Sequence, residues 1–229
     1  MFRDYFLYHM TQAAPALFQG AILTVKITAF SVFFGCIIGL FLSFGQISKK
    51  KLFRIPAKIY VDTIRGTPLF VQILIFFYGI PDIYNTMMGE PLRWDRVLAA
   101  IIVCSINSGA YVSEIFRAGI QSIDKGQMEA ARSLGMSHSK AMIYIILPQA
   151  FKRIVPPLGN EFIVLLKDTS LLAVIGVPEL LQEGKLYVAA TYVTFPIYIE
   201  VALIYLLMTL SISRWVSWME RRLGVSDRS

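Results

Sequence analysis

Charge is scarce in this 229-residue chain: Asp, Glu, Lys and Arg make up 16% of it, against about a quarter in soluble globular domains. A water-soluble fold needs that polar surface, so the shortage excludes an ordinary soluble domain and points to a lipid-embedded one. Cysteine is nearly absent as well. Cys36 and Cys104 both fall in apolar stretches, which argues against a disulfide framework and leaves no cysteine spacing for a metal. The two histidines, His9 and His138, read as solvated side chains and suggest no metal site. Internal repeats of roughly 20 to 50 residues are missing, and the two halves do not resemble each other as inverted repeats would. No G-x-x-x-x-G-K-[ST] phosphate loop occurs, so the chain has no such device for hydrolysing ATP itself. No A-x-A-like site follows the first apolar run, which begins near Ala13 and outlasts a signal-peptide core; it reads as a retained span.

What is present is apolar. Hydrophobic residues make up 56% of the chain and mean hydropathy is +0.60. A spanning helix needs about 20 mostly apolar residues, and the stretches 17–45, 57–80, 97–121, 155–177 and 192–214 qualify. The fold class expected is therefore all-α: a polytopic transmembrane bundle of five spans in a single domain covering residues 1–229. Loop charges alternate as five spans require. One set of segments carries Lys49, Lys50, Lys51, Arg54 and Lys58, then Lys125, Arg132, Lys140, Lys152 and Arg153, then Arg214, Arg221, Arg222 and Arg228. The opposite set carries only Arg3, Arg93, Arg96 and Lys185. Basic loops stay in the cytoplasm, which predicts an outside amino terminus and a cytoplasmic carboxyl terminus. The net charge of +7 then follows from topology and does not imply nucleic acid. Gly35 and Gly39, spaced G-x-x-x-G, would allow close helix approach and offer one possible subunit contact.

The longest inside loop has a pattern of its own. Gln127–Leu134 is rich in helix formers, and Gly135 follows where a left-handed cap would end a helix. Ser137 suits the N-cap of a second helix, and Pro148 sits where that helix should kink or stop. The residues alone leave two readings open: an interfacial amphipathic helix, or a short helix that docks into a partner's groove.

Within that loop Glu129-Ala130-Ala131, Gly135, Ile145 and Leu147-Pro148 fall at the spacing E-A-A-x3-G-x9-I-x-L-P. This resembles the membrane permease subunits of bacterial ABC importers. Arg65-Gly66-Thr67-Pro68-Leu69 with Gln72, Glu114-Ile115-Phe116-Arg117, Asn160-Glu161-Phe162-Ile163 and Lys167-Asp168-Thr169-Ser170-Leu171 narrow the resemblance to the polar amino acid uptake branch. It covers about residues 15–220. The resemblance implies a type I importer fold in a bacterial cytoplasmic (inner) membrane. It also implies a second permease chain, identical or paralogous, and an extracytoplasmic solute-binding protein. Two ABC ATPase subunits would seat against the coupling loop, 126–148, through Glu129, Ala130, Ala131, Gly135, Leu147 and Pro148. ATP with Mg is expected in those subunits and no cofactor in this chain, which is then not an enzyme. An ion-gradient-driven transporter or channel is the alternative, but it gives no reason for the loop signature.

Ionisable groups at membrane depth are costly and usually face a partner or a water-filled path. Glu161 either holds the substrate's ammonium or pairs with Arg117 or Lys167, and Asn160 beside it joins the candidate set. Glu114 lies three residues before Arg117, on one side of a helix, so a local ion pair competes with a place on the pathway. Asn107 is either a substrate ligand or a helix-to-helix hydrogen bond. Asp62 and Arg65 suggest a structural pair beside a helix break, where Gln72 would reach the cavity so formed. These carboxylates tilt the expected cargo toward a cationic amino acid such as arginine, histidine or lysine.

Overall fold

The computed structural model describes residues 2–223; the side chain of Arg3 and all of Arg228, both used in the charge reading, lie outside the described residues. Among the described residues there is no strand and no cis peptide bond. The chain opens with α1 (Phe2–Ile47), 46 residues long. At 1.5 Å per residue it is about 69 Å, more than twice the roughly 30 Å of a hydrocarbon core. It is followed by α2 (Lys51–Arg65), α3 (Leu69–Leu74), a π-helical turn (Ile75–Gly79) and α4 (Ile80–Met88). Then come α5 (Arg96–Gln121), α6 (Lys125–Ser133), α7 (His138–Ala141), a second π turn (Met142–Ile146) and α8 (Leu147–Asp168). A 3-10 segment (Thr169–Ile175), α9 (Leu180–Thr191) and α10 (Phe195–Leu223) complete the bundle.

The central contact joins α1 to α5. Along one line of α1 stand Thr24, Thr28, Ser31, Gly35, Gly39 and Ser43, and the four hydroxyl residues are fully buried. A Cβ on Gly35 would meet Ser108 Cβ at 2.9 Å, and one on Gly39 would meet the Ser113 backbone nitrogen at 2.9 Å. From the other side a Cβ on Gly109 would meet Ile38 Cγ2 at 2.6 Å. Lipid tails are as apolar as leucine, so helices in a membrane associate through close packing and hydrogen bonds instead of the hydrophobic effect. Here Gln46 Nε2 donates to Ser113 Oγ at 3.1 Å and Ser31 Oγ to the Ile101 carbonyl at 3.4 Å. The G-x-x-x-G pair is thus consumed inside the chain and is not a subunit contact. Two apolar clusters flank this seam. One gathers Ile27, Ile73, Val103, Leu165 and Leu172, and the other Leu17, Leu180 and Ile197.

Among the described residues four helices are long and apolar enough to cross a membrane: Asp4–Ile47, Leu69–Met88, Arg96–Gln121 and Phe195–Arg222. The third expected stretch is placed almost to the residue. The second is displaced, because the chain breaks at Gly66-Thr67-Pro68 and the apolar helix begins only at Leu69. The fourth expected stretch falls on α8 and the 3-10 segment. The 22 residues of α8 reach about 33 Å, but Lys152, Arg153, Glu161, Lys167 and Asp168 make it the most polar of the long helices. Pro148 does not stop the helix, which runs on from the π turn into α8. Proline lacks an N–H and crowds the carbonyl four residues back; the preceding π turn, closed by the Leu147 N–H on the Met142 carbonyl, widens the helix where that crowding would occur.

A Gly39→Val substitution, which drives a branched side chain into the backbone of α5, is expected to cost about 1–3 kcal/mol in unfolding of the detergent-solubilised protein. Gly79→Ala, whose Cβ would meet only Ile75 at 3.9 Å, is expected to be neutral or to stabilise by about 0.5–1 kcal/mol.

Candidate functional site

The break between α2 and α3 builds the site. The Gly66 N–H closes α2 on the Asp62 carbonyl, and Pro68, extended at φ −64° and ψ 136°, stands at the start of α3. Such a break frees backbone carbonyls, which are tolerated at membrane depth only where something satisfies them or water reaches them. Gln72 supplies that something. Its Nε2 donates to the Ile64 carbonyl at 2.8 Å, the Thr67 carbonyl at 3.1 Å and Thr67 Oγ1 at 2.9 Å. Its Oε1 accepts from Asn107 Nδ2 of α5 at 2.9 Å. Gln72 therefore fixes the break and aims Asn107.

Beside the break lies a cleft of about 670 Å³, walled by Arg65–Phe70, by Asn107 and Tyr111 of α5, and by Asn160, Glu161 and Asp168 of α8. Glu161 is buried, and its Oε1 accepts from the buried Ser108 Oγ at 3.0 Å. It pairs with neither Arg117 nor Lys167. Asn160 is exposed on the same wall. Of the five residues expected to contact substrate, Glu161, Asn160 and Asn107 line this cleft, and Gln72 stands behind Asn107.

Glu114 is placed elsewhere. Its carboxylate takes both prongs of Arg117, Nη2 at 2.6 Å and Nε at 3.2 Å, and has Arg65 Nη1 at 3.6 Å. These groups face a separate polar groove of about 310 Å³ with Asp62, Arg54, Lys58 and Gln46. Arg65 does not turn to Asp62 as the three-residue spacing suggests; it reaches Glu114, with its guanidinium 5.5 Å from the Tyr111 ring centre. Arg65 is the one side chain that lines both spaces.

Sequence reasoning missed Glu179. It is fully buried, caps α9 by accepting from the Leu181 and Gln182 N–H groups at 2.9 and 2.8 Å, and accepts from Tyr205 Oη at 2.8 Å. Glutamate is not among the usual N-caps, so the one available signal, an acid directly before an apolar helix, was weak. Asp168 and Tyr111, both on the cleft wall, were also not assigned to it.

The loop at 126–148 forms a second feature. Asp124 caps α6 by accepting from the Gly126 N–H at 2.6 Å. The far end closes as a Schellman motif: the Met136 N–H reaches the Ala131 carbonyl at 3.1 Å and the Gly135 N–H the Arg132 carbonyl at 3.0 Å. Gly135 stands at φ +83°, a conformation that L side chains rarely adopt. Ser137 then caps α7 through the Lys140 N–H at 3.3 Å. The two alanines divide: Ala131 is buried while Ala130 and Glu129 are exposed. Leu134 is 85% exposed and Tyr144 68% exposed, so the turn presents apolar surface with no partner among the described residues. Beneath it Ile123, Ile146, Ala150 and Ile154 pack together and fix the loop to α5 and α8.

Residues 31–225 match the family of binding-protein-dependent transport system inner membrane components. The chain is 38% identical over 213 residues to the glutamine transport system permease protein GlnP of Escherichia coli K12, covering 93% of this chain and 95% of the relative. It is 38% identical over 213 residues to the arginine transport system permease protein ArtQ of Bacillus subtilis, covering 93% and 94%. It is 41% identical over 210 residues to that organism's L-cystine transport system permease protein TcyB, covering 91% and 87%. A crystal structure of an amino acid ABC transporter with histidines superposes with a TM-score of 0.86 at 43% identity, covering 93% of this chain and 96% of the other. The inward-facing MetNI methionine ABC transporter shares the fold, with a TM-score of 0.73 at 20% identity and coverage of 90% and 95%. With the loop signature, the broken helix and the apolar spans in place, the chain belongs to the binding-protein-dependent inner membrane components, as a permease subunit of the amino-acid ABC importer type.

Proposed function

We propose that this chain carries a polar amino acid, preferentially a cationic one, across a bacterial cytoplasmic membrane through the cleft between α2–α3, α5 and α8. The observation that carries this reading is the pair of acids on one wall, buried Glu161 and half-buried Asp168, among amides that bond without adding charge. An ammonium or guanidinium brought out of water needs such a partner. The relatives named for glutamine, arginine and L-cystine support an amino acid cargo and do not choose among charges. Glu161, Asn160 and Asn107 would touch the cargo. Gln72 would position Asn107, and Glu114 would act at the neighbouring groove.

The energy would come from two ABC ATPase subunits that hold ATP and Mg. They would seat on the exposed face of the loop through Glu129, Ala130, Gly135 and Pro148, with Leu147 partly covered and Ala131 supporting from below. A ligand shifts a conformational equilibrium only by binding one state better, and nucleotide-dependent closure of the ATPases would supply that difference here. A second permease chain would complete the transmembrane assembly, and an external solute-binding protein would deliver the amino acid. The loop side is cytoplasmic in this reading, which puts the amino terminus outside and the carboxyl terminus inside. Support comes from Lys125, Arg132 and Lys140, which lie on or beside the loop, and from Arg153, which donates to the Ser122 carbonyl just before it, in keeping with the positive-inside tendency.

Uptake of L-arginine by the assembled complex in proteoliposomes is expected to require internal ATP; uptake at full rate without ATP would overturn the proposal. Gly135→Val forces a β-branched residue into left-handed backbone at a cost of about 1–2 kcal/mol, enough for roughly tenfold weaker docking. The expected result is ATP hydrolysis with little uptake, read from the ratio of amino acid moved to phosphate released. Glu161→Gln is expected to weaken L-arginine binding by roughly 10- to 100-fold, the range of a charge-assisted hydrogen bond. L-glutamine binding should change far less, and calorimetry on both ligands would reveal it.

A further inference from the structure

The cleft has acids for an ammonium, yet a free amino acid also brings an α-carboxylate. Removing that group from water is costly unless a cation or a set of donors receives it. Among the described residues that line the cleft, Arg65 is the one cation. Of the amides nearby, Gln72 spends its donors on the helix break and Asn107 donates to Gln72; Asn160, exposed on the same wall, can donate a hydrogen bond but brings no charge. Lys167 is exposed and does not line the cleft.

Arg65 is also weakly held. Its ion pair with Glu114 spans 3.6 Å, beyond hydrogen-bond distance, with the two side chains 43% and 23% exposed. Pairs of that kind contribute little. Glu114 has a better partner on its own helix, the two-pronged Arg117 at 2.6 and 3.2 Å, so it stays neutralised when Arg65 leaves. The guanidinium fork of Arg65 is therefore available, and its planar geometry matches a carboxylate. A second feature favours an anion at the same place. The helix that runs from Leu69 to Met88 opens at Pro68, Leu69 and Phe70 on the cleft wall, and the amino end of a helix carries partial positive charge.

We propose that Arg65 takes the α-carboxylate of the amino acid in the cleft, releasing Glu114 as it does so. This rests on the cleft being the substrate site. Arg65 faces both spaces, so the exchange would remove a link between α2 and α5 at the polar groove on the loop side. Substrate occupancy would thereby be felt next to the Glu114–Arg117 pair. Recognition would divide between Arg65 for the carboxylate, common to all amino acids, and Glu161 with Asp168 for the cationic part.

The test compares each acid with its α-amide, which keeps the ammonium and side chain but loses the carboxylate charge. L-Arginine and L-argininamide, then L-glutamine and L-glutaminamide, are titrated by calorimetry into the full permease assembly in lipid nanodiscs. In the unsubstituted protein the acid should bind on the order of tenfold more tightly than the amide. Arg65→Gln should weaken the acid to the level of the amide and leave the amide unchanged, and Arg65→Lys should restore part of the ratio. Glu114→Gln, by removing the competing carboxylate, should raise the ratio. Equal binding of acid and amide to the unsubstituted protein, or equal weakening of both by Arg65→Gln, overturns the assignment. A different pattern marks failure of the site itself: Glu161→Gln would then leave every ligand's affinity unchanged. If instead Glu161→Gln weakens binding while Arg65→Gln preserves the ratio, the cleft stands and Arg65 is excluded.

Discussion

Along one line of α1 the side chains are small enough for its backbone to approach that of α5, and the position of the cleft follows from that approach. Gly35 and Gly39 leave no room for a larger group at the seam, where an added Cβ would come within 2.9 Å of α5. Hydrocarbon solvent gives apolar side chains no reason to cluster, so dispersion contacts and a few hydrogen bonds must hold the bundle. With α5 fixed to α1, Ser108 is fully buried at the seam and its hydroxyl faces Glu161 of α8. The same helix carries Asn107 to Gln72 at the break and Glu114 to Arg65. One helix thus touches every wall of the site.

The break between α2 and α3 opens a polar cleft in that scaffold. A continuous helix would have closed the space with its own backbone and side chains. Gly66 and Pro68 interrupt it, and Gln72 binds the freed carbonyls that would otherwise be unsatisfied in lipid. Rigid support and an open polar cavity are reconciled because the donors that stabilise the break come from the next turn of the same segment. Glu179 plays a comparable part at the other end of the bundle, where one carboxylate caps α9 and anchors Tyr205 of α10.

The loop at 126–148 and the cleft are joined by α5 and α8. Ile115, Phe116 and Ile120 of α5 pack on the cluster formed by Ile146, Ala150 and Ile154 beneath the loop, and a Cβ on Gly119 would run into Ile154. A displacement of the loop therefore has no soft layer in which to dissipate before it reaches the two helices that carry Glu161 and Glu114. Close packing of this kind moves as blocks.

Much of this was legible in the sequence, for physical reasons that differ by residue. Lipid solvent imposes long apolar runs, so Arg96–Gln121 could be read almost to the residue. Local backbone chemistry fixed the Gly135 turn and the Ser137 cap, because both are satisfied within five residues of chain. The spacing of Glu114 and Arg117 on one helix face likewise foretold their pair. Spacing failed where the partner came from another helix. Only the fold decided that Arg65 turns to Glu114 and not to Asp62, that Glu161 meets Ser108, that Gly35 and Gly39 face α5 and not another subunit, and that the wall carrying Glu161 and Asp168 faces the break between α2 and α3. Helix composition and caps are settled by neighbours along the chain; pairing across a bundle depends on the rotation and depth at which packed helices come to rest, which no local pattern specifies.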